Sequence, residues 1–198
     1  MKRIIILSIA AISLLLSSCG EKKVSPADLR WNKVNADSLT MSFNKVLRED
    51  WMVLAVGDHE KSNAMTIGWG AAGRLWNKPV FIVYVSEDRY TKGLMDEDEY
   101  FTVSLLPEDK HDALVYLGSH SGAEEPDKIE KAGLSEEFTS LGNPVFSEAI
   151  LYIECKKIYA EPFDLEKVPE EVRNDMYKRI GVHTVYVGEI VNVMRKNY

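Results

Sequence analysis

Cysteine is scarce in this chain: Cys19 and Cys155 are the only two among 198 residues. No CxxC pair occurs, and none of the four histidines (His59, His111, His120, His183) stands three or four positions from another His or Cys. The spacing that builds a zinc site is therefore missing, and no metal ligands are assigned. Gly-x-Gly-x-x-Gly and Walker patterns are also missing, which excludes the Rossmann and P-loop routes to a nucleotide. Ser119-His120-Ser121-Gly122 places Ser beside His but lacks the Gly-x-Ser-x-Gly elbow, so it reads as a polar loop and not a hydrolase nucleophile. Cys155 sits mid-strand among Ile153, Glu154 and Lys156 and reads as a buried structural thiol. Positive charge is in short supply: 24 Lys and Arg stand against 31 Asp and Glu, a net charge of −7. A nucleic-acid partner needs a basic surface, and anionic lipid needs one too, so both are argued against.

What is present begins at the N-terminus. Lys2 and Arg3 precede an apolar run, Ile4 to Leu16, too short to span a bilayer as a mature helix. Small residues Ser17 and Ser18 then lead to Cys19, which together make a secretory signal. Leu16-Ser17-Ser18-Cys19 also resembles the lipobox of bacterial lipoprotein precursors. That resemblance implies a signal peptide over residues 1–18, lipidation of the Cys19 sulfur, and an exported, membrane-anchored protein. An ordinary signal peptide, or a buried helix with a chance Cys, is the plainer alternative. Removing residues 1–18 takes away two cations and moves the net charge from −7 to −9. Residues 19–38 are polar and read as a tether; residues 39–198 are of a size for one domain.

Asp37-Ser38 suits the cap of a short helix over Leu39–Leu47. Strands are expected at Trp51–Val56, Met65–Trp69, Val80–Val85, Phe101–Leu106, Ala149–Ala160 and His183–Met194, the last interrupted by Gly188. Val80–Val85 is continuously apolar and reads as a strand buried on both faces. Helices are expected at Thr91–Glu99, from Asp109 or Lys110 to Leu117, and at Pro169–Lys178, with short helical pieces at Ile129–Ala132 and Ser135–Phe138. Strands outnumber helices and do not alternate regularly with them. A doubly wound parallel sheet is thus disfavoured, and the composition fits a closed antiparallel barrel with added helices, an α+β class rich in β.

Asn63-Ala64-Met65-Thr66-Ile67-Gly68-Trp69 is the segment most suggestive of a ligand. Met65, Ile67 and Trp69 point to one face. Ala64, Thr66 and Gly68 leave the other thin, with bare backbone against which a flat ring could lie. An ordinary core strand has the same pattern. Ser86-Glu87-Asp88-Arg89-Tyr90-Thr91-Lys92 joins a strand end to a helix start, where free N–H groups and the dipole favour an anion; from spacing alone, a charged surface turn is the plainer reading. Ser121-Gly122-Ala123-Glu124-Glu125-Pro126-Asp127-Lys128 is a second loop of this kind, with Lys128 able to reach an anion or pair with Asp127.

In order, Asn63–Trp69, Pro79 before a strand, Arg89-Tyr90-Thr91, Phe101-Thr102-Val103-Ser104, Ser121-Gly122, Asp127-Lys128 and Gly133-Leu134 resemble the flavin reductase-like proteins, flavoredoxin included. The likeness runs from about Arg48 to Met194. It implies an antiparallel split β-barrel of the FMN-binding type, with FMN as cofactor, usually as a homodimer with the flavin near the subunit interface. By position, it implies that Asn63, Met65, Thr66, Ile67, Gly68 and Trp69 lie along the isoalloxazine. Ser86, Arg89, Tyr90 and Thr91 would lie near the ribityl phosphate, with Ser121, Gly122 and Lys128 completing that side. His183 would approach the flavin or the interface. Many relatives carry Arg directly after Ser-Gly; this chain has Ala123, then Glu124 and Glu125, which would repel a phosphate. The chemistry would be the cofactor's, so no catalytic side chain is assigned. The expected function is an FMN-binding reductase or electron carrier with donor and acceptor left open. The alternative is a non-enzymatic lipoprotein whose barrel binds a partner or another small ligand.

Overall fold

A computed structural model describes residues 30–197. The signal peptide and lipidation assignments, Cys19 among them, lie outside the described residues, as does most of the tether. The described part of the tether is not free chain. Trp31–Lys33 form strand β1, paired with Met194–Lys196, and Trp31 packs edge-on against Tyr152 with ring centroids 4.9 Å apart. Burial of this indole outweighs the polar composition of the residues around it.

The main chain runs through α1 (Phe43–Lys45), a π-helical turn (Val46–Asp50), β2 (Met52–Gly57), β3 (Ser62–Ile67), β4 (Gly70–Leu75) and β5 (Lys78–Ser86). It continues through α2 (Tyr90–Glu97), β6 (Tyr100–Leu105), α3 (His111–Ser119), α4 (Lys128–Lys131), β7 (Glu136–Phe138) and β8 (Pro144–Phe146). It ends with β9 (Leu151–Pro162), α5 (Glu170–Asp175) and β10 (His183–Lys196). Seven strands pair antiparallel in the order β3-β2-β6-β9-β10-β5-β4, with β1 added to β10. β3 and β4 are consecutive in the chain yet form the two ends of this path. The sheet therefore curls into a barrel whose seam stays unpaired between them, a split barrel.

The alternation of side chains makes two cores. Leu54, Val56, Met65, Ile67, Phe81, Val83, Phe101, Val103, Ile153 and Tyr186 fill the barrel. Val53, Ala55 and Ala64 point outward and are covered by Leu114 and Leu117 of α3 and by Val145 and Phe146 of β8. Each large apolar side chain so buried contributes roughly 1.5–3 kcal/mol. β10 bends through register shifts at Val187/Gly188 and Ile190/Asn192 against β9. At Gly188 an added Cβ would stand 2.5 Å from Phe101 Cζ, so the bend needs glycine for this close approach.

Several local expectations are corrected. The first helix starts at Phe43, not Leu39. Asn35, not Asp37-Ser38, supplies a side-chain cap, to a 3₁₀ turn at Ala36–Ser38. Ser135–Phe138 is not helical: Glu136–Phe138 pair with Pro144–Phe146, whose burial decides the matter over the helix preference of the two glutamates. β5 is not buried on both faces, since Ile82 and Tyr84 are only half-buried; β2 is the strand sealed on both sides. Pro169 precedes the last helix and does not open its first turn, and that helix stops at Asp175. β1, β4 and β8 are not expected from the sequence, and β3 runs Ser62–Ile67, ending before Gly68 and Trp69 and not spanning Met65–Trp69.

Candidate functional site

At the seam of the barrel, a cleft of about 200 Å³ opens where β3 ends, lined by Met65, Thr66, Ile67, Gly68, Trp69, Tyr84, Ser86, Arg89, Ile180 and His183. β3 has a neighbour on one side only, so alternate N–H and C=O groups on its free side have no strand partner. These groups border the cleft.

The small face of the 63–69 segment is not the open one. The Thr66 hydroxyl donates to Leu114 O (2.5 Å), and an added Cβ on Gly118 would touch Thr66 Cβ at 3.4 Å, so α3 roofs Ala64 and Thr66. Met65 and Ile67 point into the barrel. What the segment offers a ligand is therefore its main-chain edge and Trp69, which is 46 % exposed.

β5 and β10 bring the opposite wall. His183 is the register partner of Ser86. Its imidazole is buried, lies 5.2 Å from the Trp69 ring, and its Nδ1 has no hydrogen-bond partner. Burial holds the imidazole below its ordinary pKa, with the Arg89 guanidinium acting the same way and Asp88 opposing. The Ser86 hydroxyl donates to Gly181 O (3.2 Å). Val182 N donates to Glu87 Oε1 (3.0 Å), which pins the chain entering β10 to the loop before α2.

Arg89 occupies the N-cap position of α2, and its Nη1 donates to Gly118 O (2.9 Å). Lys128, at the start of α4, reaches the same end of α3: its Nζ donates to His120 O (3.0 Å) and Leu117 O (3.4 Å). Two cations thus share the negative pole of one helix. Lys128 is buried. Desolvation, with Arg89 beside it, lowers its pKa from the ordinary 10.5 to about 8.

Asn63, Tyr90, Thr91, Ser121, Gly122 and Lys128 do not line the cleft. Asn63 Nδ2 donates to Thr91 Oγ1 (2.8 Å), and both side chains are buried. An added Cβ on Gly122 would come within 2.2 Å of Asn63 Oδ1 and 3.0 Å of the Tyr90 ring. These residues lock the 121–125 loop onto β3 and α2, behind the cleft. Glu125 accepts from the Tyr116 hydroxyl (2.8 Å) and pairs with Lys131 (3.2 Å), and its charge also acts on Lys128, opposing the fall in that pKa. Tyr84 and Ile180 are cleft residues that sequence reasoning missed. Tyr84 was hidden in an apolar run, and Ile180 follows a helix with no motif to mark it.

A family model described as "Flavin reductase like domain" matches residues 48–197. Among curated proteins, diflavin flavoprotein A 1 of Synechocystis sp. is 29% identical over 98 residues, 49% of this chain. That match covers 16% of the curated protein, so the chain spans about a sixth of its length. Among solved structures, the FMN-binding domain of a flavin reductases-like enzyme from Shewanella baltica superposes with a TM-score of 0.61 at 15% identity, covering 84% of this chain and 77% of that one. An FMN-binding protein from Thermus thermophilus gives 0.58 at 24% identity over 82% and 79% of the two chains. The flavoredoxin of Methanosarcina acetivorans gives 0.58 at 21% identity over 75% and 69%. At these identities the structural likenesses establish the fold.

Proposed function

The chain belongs to the flavin reductase-like domain family, and from that premise we propose that it is a flavin-binding redox protein that takes FMN at the barrel seam. The observation that carries this reading is the buried His183 Nδ1, left without a partner in a cleft that Arg89 also lines, with Lys128 behind Arg89 at the same end of α3. A buried polar atom of this kind costs free energy unless a ligand satisfies it. The residues present fit the cofactor: an apolar wall for a ring, an edge of main-chain donors and acceptors, and the Arg89 guanidinium for a phosphate, with the Lys128 ammonium behind it.

FMN supplies a ring that accepts a hydride or single electrons. The N–H groups on the free side of β3 would donate to the polar edge of that ring and favour negative charge there. His183, kept neutral, offers one donor and one acceptor at its two nitrogens. Trp69 and Ile180 would exclude water from the mouth. Arg89 and Lys128 would exchange the carbonyls of Gly118, Leu117 and His120 for phosphate oxygens, which are stronger acceptors. The test is the visible spectrum of the purified domain together with an FMN titration. An absorbance-free protein that binds no added FMN refutes the proposal.

We propose further that a second copy covers the open side of the cleft, making a homodimer, and that lipid on Cys19 anchors the protein at a membrane outside the cytoplasm. Size-exclusion chromatography with light scattering checks the first, with a single-copy mass refuting it. Release of Cys19→Ser from the membrane fraction checks the second, and unchanged fractionation refutes it.

A further inference from the structure

A second cavity adjoins the cleft, and the two share Gly68, Trp69 and Tyr84. It holds about 680 Å³, within the size range of small-molecule sites, between the α1–π turn and the edge strand β4. Its cause is local. The Trp51 N–H donates to Val46 O (2.7 Å), five residues back, and Trp51 takes a left-handed φ of 58°. That turn leaves the indole stacked on His111, with ring centroids 4.9 Å apart, and its edge toward Gly68, where an added Cβ would lie 3.4 Å from Trp51 Cδ1. On the facing strand, Ala71 and Ala72 are too small to fill the gap, and Gly70 carries no side chain where an added Cβ would lie 2.8 Å from Ile82 O.

The lining sets the chemistry of the occupant. Phe43, Trp51, Trp69 and Tyr84 supply aromatic walls, and bare backbone at Gly68 and Gly70 supplies a flat one. Glycine in an edge strand commonly marks such a close approach. Besides the Tyr84 hydroxyl and the indole N–H groups, Asn44 and Arg48 add hydrogen-bond donors, and no carboxylate lines the space. Arg48 does pair with Glu49, but both are exposed, and such a pair is weak enough to exchange.

We propose that this cavity is a binding site for a planar aromatic anion of about two fused rings, adjoining the flavin cleft along Trp69, Gly68 and Tyr84. The site stands on its own lining and goes beyond the flavin reading. Aromatic faces and the flat peptide groups would sandwich the rings, and Arg48 would take the carboxylate or phenolate at the rim.

The test uses 2-naphthoate as probe and the indole N–H signals of the four tryptophans as readout, in the full domain with and without FMN. Binding should shift Trp51 and Trp69 and leave Trp31, packed at Tyr152, unmoved. Ala72→Phe, which lies outside the flavin cleft, should weaken naphthoate by roughly tenfold or more while leaving FMN titration unchanged. Arg48→Ala should remove the preference for 2-naphthoate over neutral 2-naphthylmethanol. Unmoved indole signals overturn the proposal. So does displacement of naphthoate by FMN, which would put the probe in the flavin cleft. A change in self-association on Ala72→Phe without a change in naphthoate affinity also overturns it, because the gap then belongs to a second copy. If FMN does not bind but naphthoate does, the flavin reading falls and this site remains.

Discussion

The two ends of the candidate flavin site are built from different materials. At the ring end, the free edge of β3 presents main-chain groups, and the side chains of Met65 and Ile67 turn away into the barrel. At the cation end, Arg89 at the N-cap of α2 lines the cleft, Lys128 at the start of α4 stands behind it, and both rest on the carbonyls that close α3. A main-chain edge is fixed by the sheet and survives most substitutions. A pair of long side chains is lost with one codon each. Recognition of a flavin should therefore be robust at the ring and fragile at the phosphate.

Lys128→Ala tests this most severely. A charge-assisted contact to phosphate is worth about 1.5–3 kcal/mol, so FMN affinity should fall by roughly 10- to 100-fold. Lys128→Met keeps the apolar stem and should weaken binding equally while holding thermal stability, which separates charge from packing. A loss from Lys128→Ala no larger than that from Met65→Leu at the ring end would erase the contrast.

The same residue predicts a pH signature. Buried Lys128 gives up its proton at about 8, against 10.5 for the unfolded chain. Between those values the unfolded state binds more protons, so by this group's contribution the flavin-free protein gains stability as pH rises from 8 toward 10.5. FMN affinity should run the other way, falling as pH passes 8, because the phosphate needs the ammonium. Titrations of FMN and thermal melts across that range read both slopes. Lys128→Met should flatten both, and slopes that persist in it would assign them elsewhere.

Gly122→Ala strikes the support behind the cations. Its Cβ would enter the space of Asn63 Oδ1 and the Tyr90 ring, and overpacking of this kind costs about 1–3 kcal/mol. Denaturant unfolding should show the loss. Thr66→Val, which removes the hydrogen bond to Leu114 O, should cost less, about 1 kcal/mol, with little change in FMN affinity.

Much of the scaffold was legible because its strands carry strong patterns. Trp51–Val56, Phe101–Leu106 and His183–Met194 announce themselves by β-branched and aromatic residues. β4 did not, because Gly70-Ala71-Ala72-Gly73 has no strand preference of its own. It exists through its pairing with β5 across the tight Trp76-Asn77 turn, where both residues take positive φ. The site divided in the same manner. Ser86 and Arg89 could be placed from a strand end followed by a helix start. The open face of the 63–69 strand could not, since only the tertiary position of α3 shows that the thin face is roofed and the edge is free. His183 gains its place from register with Ser86, 97 positions away, which local sequence does not encode.

The smallest expected effect concerns the acidic pair after Ser121-Gly122. From sequence alone, Glu124 and Glu125 stand where a cation would help and should oppose a phosphate. In the fold, Glu125 is occupied: the Tyr116 hydroxyl and Lys131 hydrogen-bond its carboxylate and hold its pKa below the ordinary value. His120, stacked on Tyr116 with ring centroids 3.8 Å apart, flanks it as well. A half-buried charge already paired projects a reduced field toward a second site: Glu125 still acts on Lys128, but its partners and salt screen most of it. Glu125→Gln should therefore change FMN affinity by about twofold or less, measured by the same titration as Lys128→Ala. A gain of about tenfold instead would mean that Glu125 faces the phosphate, and that the cation end is weakened by its own loop.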